Sequence, residues 1–499
     1  MSELEPGPGS GTTINLSLIS HTNVGKTALA RTLLGRDVGE VRDAAHVTDL
    51  STGYVLVQSG EDTLMLWDTP GFGDTARLVS RLKRSGSPIV WFLTQVWDRW
   101  RERPLWSSQQ AIKNAREQAD VILYLVNAAE DPAAASYVPL EMEVLGWIGK
   151  PVVVLLNQMG PPRKDISSEI ARWSEVGSPG LVCAVLPLDA FARCWVQEVA
   201  LLKTVEPLLP LEKAPAMAGL RCRWDELNRA RLNSSMNVLA RYLQRAARDY
   251  QKVDDYNWRG KVASALTGKS GGDRAARNAM ASLTTRLAEV TAASTDELIR
   301  LHNLSGKAAH TVLERVSNDY AHQSKAPEGA VAALGGIFSG AVGGLAADLA
   351  VGGLTLGGGM VVGAIVGALG GTGLAKGLNL ARGEDGASLR WSGEFLERLT
   401  VTALLRYLAV AHFGRGRGEW SEGEHPAFWQ PLVEEEVARR KAELSRVWKA
   451  TVSPSEANTA EVVGLESLLT ETGSDILKRL YPQSESIYHP VVAVNGMYR

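Results

Sequence analysis

A strand-like apolar segment, a glycine-containing turn and the start of a helix follow one another between residues 14 and 30, and this order limits the fold more than any other feature. The segment I-N-L-S-L-I leads into S-H-T-N-V-G-K-T at residues 20–27, and A-L-A continues as a helix-forming run. Such a turn directs backbone N–H groups and a helix N-terminus at one point, which suits a phosphate group. We therefore predict a nucleotide triphosphate site here.

The side chains of this turn have distinct expected roles. Lys26 is expected to reach the β- and γ-phosphate oxygens, and the Thr27 hydroxyl is expected to bind Mg²⁺. Ser20 departs from the pattern GxxxxGK[ST], which normally begins with glycine. The other predicted nucleotide contacts are Ser20 itself, Asn23, Val24, Gly25 and Ala28.

A second phosphate-type motif follows a second apolar strand. Leu64–Trp67 ends in D-T-P-G, where Asp68 is expected to hold Mg²⁺ through water and the Gly71 N–H to contact the γ-phosphate. Residues 53–58 and 63–67 predict two strands joined by a hairpin. Thr48 is the predicted switch residue that completes the Mg²⁺ shell, and Thr52 is the alternative.

The motifs S-H-T-N-V-G-K-T and W-D-T-P-G-F-G-D, with the hairpin between them, resemble a bacterial Era-like GTPase of the translation-factor class. The resemblance covers about residues 12–209. It implies an α/β P-loop domain with a mostly parallel, doubly wound sheet that binds GTP or GDP with Mg²⁺. The chain is also similar to a proteobacterial group in which this domain precedes a long C-terminal domain of unknown function.

The segment that recognises the base in that family is altered here. N-Q-M-G at residues 157–160 replaces Asn-Lys-x-Asp, so Asn157 can serve the base edge but Gly160 offers no carboxylate. Loss of a group that pairs with the guanine N–H donors weakens discrimination between bases. Asp189 can supply a carboxylate from the other side of the base, or it is an ordinary helix N-cap. Guanine is expected from the resemblance, and ATP is the alternative.

The predicted catalytic residues are Lys26, Asn23 and Thr48. Phe72 stands where many small GTPases carry the glutamine that orients the attacking water. In similar GTPases an asparagine at the place of Asn23 helps to hold a monovalent cation such as K⁺ when two G domains meet, and a fixed cation stabilises developing charge. The alternative is that Asn23 only shapes the loop. We expect slow hydrolysis that K⁺ and homodimerisation accelerate.

An insert at about residues 75–118 carries many aromatic residues. Val90, Leu93, Trp97 and Trp100 recur at helical spacing and predict an amphipathic helix. Such a helix can transmit the nucleotide state to a partner or a membrane surface. The alternative is that its tryptophans pack as core against the second domain.

The chain beyond residue 210 is predicted to be mainly helical, with regions at 210–328 and 378–499 on either side of a glycine-rich segment. Heptad spacing predicts one helix through Leu232, Met236, Leu239, Leu243, Ala246, Tyr250 and Val253. Residues 329–377 contain 17 glycines in 49 residues, many of them four apart. This pattern predicts a glycine-zipper hairpin that enters or lies against a membrane. Burial within the helical domain is the alternative.

Composition limits the location and the partners. The formal charge of −2 gives no nucleic-acid signature, and three separated cysteines fit a reducing compartment. Residues 1–11 are expected to be a disordered tail without a secretory signal. We predict a cytoplasmic, Mg²⁺-dependent GTPase whose nucleotide state controls a membrane-associating domain at the bacterial inner membrane. The expected partners are guanine nucleotide, membrane lipid and a second G domain, with no nucleic acid indicated. The alternative to the predicted function is a nucleotide-binding scaffold with little hydrolysis.

Overall fold

The computed structural model describes residues 11–36, 51–84, 86–95, 101–159, 167–176, 180–190, 195–253, 274–304, 378–383, 386–414, 429–452 and 458–481. These residues fall into two compact units. The first contains the described residues up to Arg229 together with 412–414 and 481. The second contains the described residues from 230 to 411 and from 429 to 480. The predicted boundary at 209/210 stays a prediction.

The described strands of the first unit form a six-stranded sheet in the order β2-β3-β1-β4-β5-β6. Only the β2–β3 pair is antiparallel, so the predicted mostly parallel sheet is confirmed. The strands are β1 (Thr13–Ser20), β2 (Thr52–Ser59), β3 (Asp62–Asp68), β4 (Val121–Asn127), β5 (Val152–Asn157) and β6 (Val182–Pro187).

The predicted hairpin between the two phosphate motifs is present. Strands β2 and β3 are antiparallel neighbours, and a two-residue turn joins them. Gly60 occupies the first position of this turn with φ of 59°, a conformation that glycine adopts without steric cost. Strands β4 and β5 read as continuous apolar runs because helices cover both faces of a parallel sheet.

The described helices of the first unit pack on this sheet. They are α1 (Lys26–Leu34), α2 (Thr75–Leu82), α3 (Pro88–Thr94), α4 (Arg103–Glu117), α5 (Tyr137–Ile148), α6 (Ser167–Ser174) and α7 (Trp195–Val205), which continues into a 3-10 turn at Glu206–Leu208. The long helix α8 (Ala214–Arg248) begins in this unit and ends in the second.

The described residues of the aromatic insert form three helices, α2 to α4. Helix α3 ends at Thr94, and Trp97 and Trp100 lie outside the described residues. Ile89, Phe92 and Leu105 are buried in the core of the first unit. The Gln109 side chain of α4 donates to the Phe92 and Gln95 carbonyl oxygens at 2.8 Å each, so α4 satisfies the C-terminal end of α3. The described part of the insert is therefore a packed element of the first unit.

The second unit is mainly helical, as predicted, but it also contains a small sheet. After α8 come β7 (Tyr250–Val253), α9 (Arg274–Leu301), β8 (Leu378–Gly383), β9 (Gly386–Trp391), α10 (Gly393–Ala411), α11 (Trp429–Arg439), α12 (Lys441–Val452) and α13 (Asn458–Leu480). The three strands are antiparallel in the order β7-β9-β8.

Two helix predictions are wrong at this sheet. The heptad helix ends at Arg248, and Tyr250 and Val253 lie in β7 instead. Strands β8 and β9 occupy the start of the region 378–499, which was predicted to be mainly helical. The cause is tertiary pairing, because Tyr250 is in register with Arg390, far away in sequence. Heptad spacing reports only local preference, which such a partner overrides.

The glycine-rich segment at 329–377 lies outside the described residues, so the glycine zipper stays a prediction. Within the ranges that the structure describes, none of the helices combines the length and the apolar character needed to cross a bilayer.

Candidate functional site

The phosphate loop between β1 and α1 depends on two residues with left-handed backbone conformations. Gly25 precedes α1 with φ of 99°, and no side chain caps the helix there. A Cβ atom at Gly25 would lie 2.8 Å from Asn157 Nδ2, so only glycine fits. Asn23 has φ of 66°, which asparagine tolerates better than most residues. The uncapped N-terminus of α1 is the type of site at which phosphate oxygens bind.

The unusual serine of the loop contacts the loop lysine. Lys26 is buried, and its Nζ donates to Ser20 Oγ at 2.9 Å and to the His21 carbonyl oxygen at 3.3 Å. Ser20 thus provides an acceptor that glycine lacks. Burial lowers the pKa of Lys26 to about 8, while the charges of Asp68 and Glu141 act in the opposite direction.

Two oxygen-bearing side chains predicted to bind Mg²⁺ lie in direct contact. Thr27 Oγ1 donates to Asp68 Oδ2 at 2.7 Å. Asp68 is buried, and its Oδ1 has no hydrogen-bond partner among the described residues. Burial raises the pKa of Asp68, against the Thr27 hydrogen bond and the charge of Lys26. A buried carboxylate oxygen without a partner beside a hydroxyl fits a hard cation such as Mg²⁺.

The candidates for the switch residue differ in what the structure says of them. Thr48 lies outside the described residues. Thr52 begins β2 directly opposite Asp68 in the β2–β3 ladder. Opposed residues of an antiparallel pair project from the same face of the sheet, so Thr52 lies on the Asp68 side of the site.

The segment that follows β3 lies against the phosphate loop. Phe72 N donates to the Ser20 carbonyl oxygen at 2.9 Å, and Thr22 N donates to the Phe72 carbonyl oxygen at 3.1 Å. A Cβ atom at Gly71 would lie 2.9 Å from Thr22 Cα and 3.0 Å from Lys26 Nζ, so glycine permits this close approach. The Phe72 side chain is fully buried in the core, where it anchors the segment and cannot orient water.

The residues predicted to bind the base connect three loops. Asn157 Nδ2 donates to the Val24 carbonyl oxygen at 2.7 Å, and Ala190 N donates to Asn157 Oδ1 at 2.8 Å, partners that assign the amide orientation. Asp189 Oδ2 accepts from Met159 N at 3.2 Å. Asn157 therefore ties the phosphate loop to the loop after β6, a role that its position at a strand end does not reveal. Gly160 lies outside the described residues.

No role was predicted from the sequence for His21 or for Glu141. In the structure, His21 Nδ1 lies 2.7 Å from Glu141 Oε1, and Glu141 is fully buried. The available sequence signal was an acidic residue among the apolar positions of α5, where Val138, Met142 and Leu145 are also buried.

Two family models match the chain. The family described as 50S ribosome-binding GTPase matches residues 15–158, which contain both phosphate motifs. The family described as domain of unknown function (DUF3482) matches residues 182–466, more than half of the chain. The two matches follow one another with little sequence between them, as the resemblance predicted.

Individual relatives are distant. GTPase Der of Symbiobacterium thermophilum is 26% identical over 164 residues, which cover 32% of this chain and 29% of that protein. The chain thus spans less than a third of this relative. Aquifex aeolicus Era bound to GDP and AlF4⁻ is 23% identical with a TM-score of 0.30, over 40% of this chain and 57% of that one. Era in complex with MgGDPNP and a segment of 16S ribosomal RNA is 22% identical with the same TM-score, over 40% of this chain and 58% of that one.

The match over residues 15–158, which contain both phosphate motifs, assigns this part of the first unit to an Era-like GTPase domain. The chain belongs to the DUF3482 family, and it carries an Era-like GTPase domain in front of that domain.

Proposed function

We propose that this protein binds GTP and GDP with Mg²⁺ and hydrolyses GTP slowly. The observation that carries the proposal is the buried cluster in which Thr27 contacts Asp68 beside the Lys26 ammonium group. A buried ammonium group with a lowered pKa gains most from a polyanionic ligand, whose negative charge compensates for the hydration that burial removed.

Within this proposal each residue of the cluster has one task. Lys26 binds the β- and γ-phosphate oxygens, assisted by the backbone of Asn23, Val24 and Gly25. Thr27 and Asp68 would hold Mg²⁺, which supplies positive charge against the charge of the phosphates. The Gly71 N–H contacts the γ-phosphate, and its close approach to Lys26 supports this task.

The proposed base site discriminates weakly between guanine and adenine. Asn157 already uses one N–H of its amide on Val24 and one lone pair of Oδ1 on Ala190, so its contribution to base binding is limited to the second N–H and the remaining acceptor capacity of Oδ1. Asp189 is the remaining candidate carboxylate, and its bond to Met159 N holds it beside the loop after β5. We keep guanine as the proposed base because of the family match, with ATP as the alternative ligand.

The proposed hydrolysis is slow because the residue after Gly71 is a buried phenylalanine. The proposed accelerator is K⁺ bound near Asn23 when two G domains meet. Asn23 is exposed, which leaves it accessible to a partner. Its left-handed backbone supports the alternative that it shapes the loop. Equal turnover in Na⁺ and K⁺ over a range of protein concentrations would exclude the K⁺ mechanism.

The nucleotide state is proposed to control a membrane-associating helical region at the inner face of the bacterial inner membrane. This part rests on the glycine spacing and low charge of residues 329–377. A nucleotide-binding scaffold with little hydrolysis is the second candidate, and Phe72 favours it. Phosphate release with and without anionic liposomes separates the two, because only the first candidate predicts turnover that responds to liposomes.

Phosphate release from GTP by the full-length chain tests the proposal. Lys26→Met is expected to abolish release and nucleotide binding. Lys83→Met is the matched control, because Lys83 is half exposed and pairs with Glu143 at the surface. Release that survives in Lys26→Met would refute the proposed site. Because the matched family is described as ribosome-binding, co-sedimentation with 50S subunits is the corresponding test of the expectation that nucleic acid is not a partner.

A further inference from the structure

A buried carboxylate beside the phosphate loop belongs to none of the motifs above. Glu141 lies on α5 with a fully buried side chain. Its Oε1 accepts from His21 Nδ1 at 2.7 Å and from Thr75 Oγ1 at 2.9 Å, and its Oε2 accepts from the Tyr124 hydroxyl at 2.7 Å. A buried carboxylate is tolerated only when hydrogen bonds replace its hydration. These three donors therefore explain an acidic residue on the apolar side of α5.

The first donor belongs to the phosphate loop. His21 opens the loop, and its carbonyl oxygen accepts from the Lys26 ammonium group at 3.3 Å. The His21 ring also stacks on Tyr137 of α5, with ring centroids 4.3 Å apart and an interplanar angle of 25°. Helix α5 therefore holds the start of the loop through a hydrogen bond to a carboxylate and through a ring stack.

The second donor belongs to α2, the helix that follows the D-T-P-G motif at residues 68–71. Thr75 is the first residue of α2, four positions after Gly71. Helix α2 buries Leu78 and Leu82 in the same core cluster as Met142 of α5. A displacement of the segment after Gly71 would move the first turn of α2, in which Thr75 donates its hydrogen bond to Glu141.

The third donor fixes the carboxylate from the sheet. Tyr124 lies on β4, which is buried along most of its length. Burial, and next the charge of Glu141, raise the pKa of Tyr124, so its hydroxyl stays protonated and donates. One carboxylate oxygen is thus anchored to the sheet, and the other is shared between the loop and α2.

We propose that Glu141 is a positioning residue that couples the phosphate loop to α2, because its Oε1 accepts hydrogen bonds from both His21 and Thr75. The proposal rests on the proposed nucleotide function. Two donors that share one oxygen influence each other's geometry, since a stronger bond to one weakens the acceptor for the other. The nucleotide state at the loop then changes the stability of the first turn of α2.

Hydrogen exchange of the α2 amides in the full-length chain tests this coupling. In the wild type, the exchange rates of the α2 amides are expected to differ about fivefold or more between the MgGDP form and the form with a non-hydrolysable GTP analogue. A difference of about fivefold is at the lower end of typical coupling between two sites. Thr75→Val and Glu141→Gln are expected to reduce this ratio to below about twofold, since each removes or weakens the shared contact.

Tyr124→Phe is the matched control. It removes one hydroxyl group from the same carboxylate, but Tyr124 belongs to neither the loop nor α2. The wild-type difference between nucleotides is expected to persist in this variant. If Glu141 were merely structural, Tyr124→Phe and Thr75→Val would change the ratio alike, and that result would overturn the proposal.

Nucleotide affinity measured on the same samples separates this inference from the proposed function. A wild type that binds neither nucleotide overturns both. A wild type that binds nucleotide, with the same α2 ratio in Thr75→Val, overturns the coupling and leaves the proposed function standing. Thr75→Val is nearly isosteric, so it provides the test even if Glu141→Gln does not fold.

Discussion

Substitution of Gly25 by alanine probes the loop geometry most specifically. A non-glycine residue in a left-handed conformation costs about 1–2 kcal/mol, and Gly25 has φ of 99°. The new Cβ atom would lie 2.8 Å from Asn157 Nδ2, which donates to the Val24 carbonyl oxygen. Moving Asn157 leaves a buried group unpaired, at about 1–3 kcal/mol. Gly25→Ala should therefore cost about 2–5 kcal/mol in the free energy of unfolding.

Gly60→Ala measures the cost of backbone strain alone. Gly60 also has positive φ, at 59°, but no atom lies within 4 Å of the position that a Cβ atom would take there, so only strain of about 1–2 kcal/mol is expected. Scanning calorimetry of the full-length chain measures both variants, and the shift of a transition with MgGDP identifies the first unit. Gly25→Ala should be the less stable by about 1–3 kcal/mol and should lose nucleotide affinity. Equal stability of the two variants with unchanged affinity would refute the reasoning.

Three further predictions follow from individual contacts. Asn157→Asp removes the donor to Val24 and should lower the free energy of unfolding of the first unit by about 1–3 kcal/mol in calorimetry. Gln109→Ala should lower it by about 1 kcal/mol with no change in nucleotide affinity, because its amide satisfies carbonyl oxygens at the end of α3. Affinity for MgGDP should fall about fourfold between about pH 7 and about pH 8.5. The reason is that Lys26 has a pKa of about 8 in the protein without nucleotide, and phosphate favours its charged form. Tighter binding at the higher pH would contradict this prediction.

The backbone geometry of the proposed phosphate site was predictable because its determinants are local. Ile14 and Leu16 are buried in β1, as their apolar run indicated, and Gly25 lies at the left-handed turn that the motif requires. Asp68 is the last residue of β3, and Thr27 lies beyond the carboxyl end of its parallel neighbour β1, so the sheet brings the two side chains together at that end. The spacing of the motif residues along the chain was sufficient to predict this part of the geometry.

The remaining contacts depend on partners that are remote in sequence. Nothing near His21 indicates that Glu141, 120 residues away, accepts a hydrogen bond from its ring. Tyr250 continues a heptad pattern, but it pairs with Arg390 in a sheet. Ser20 looked like a defect in the motif, yet its hydroxyl contacts Lys26. Hydrophobic period and motif spacing carry no information about such pairs.

Every other part of the proposed function depends on the loop at residues 20–27 being a guanine nucleotide site that uses Mg²⁺. Calorimetric titration of the full-length chain with GDP and with ADP, each with and without Mg²⁺, measures this directly. One GDP is expected to bind per chain, more tightly than ADP and more weakly when Mg²⁺ is removed. Absence of GDP binding, or equal binding by Lys26→Ala, would contradict it.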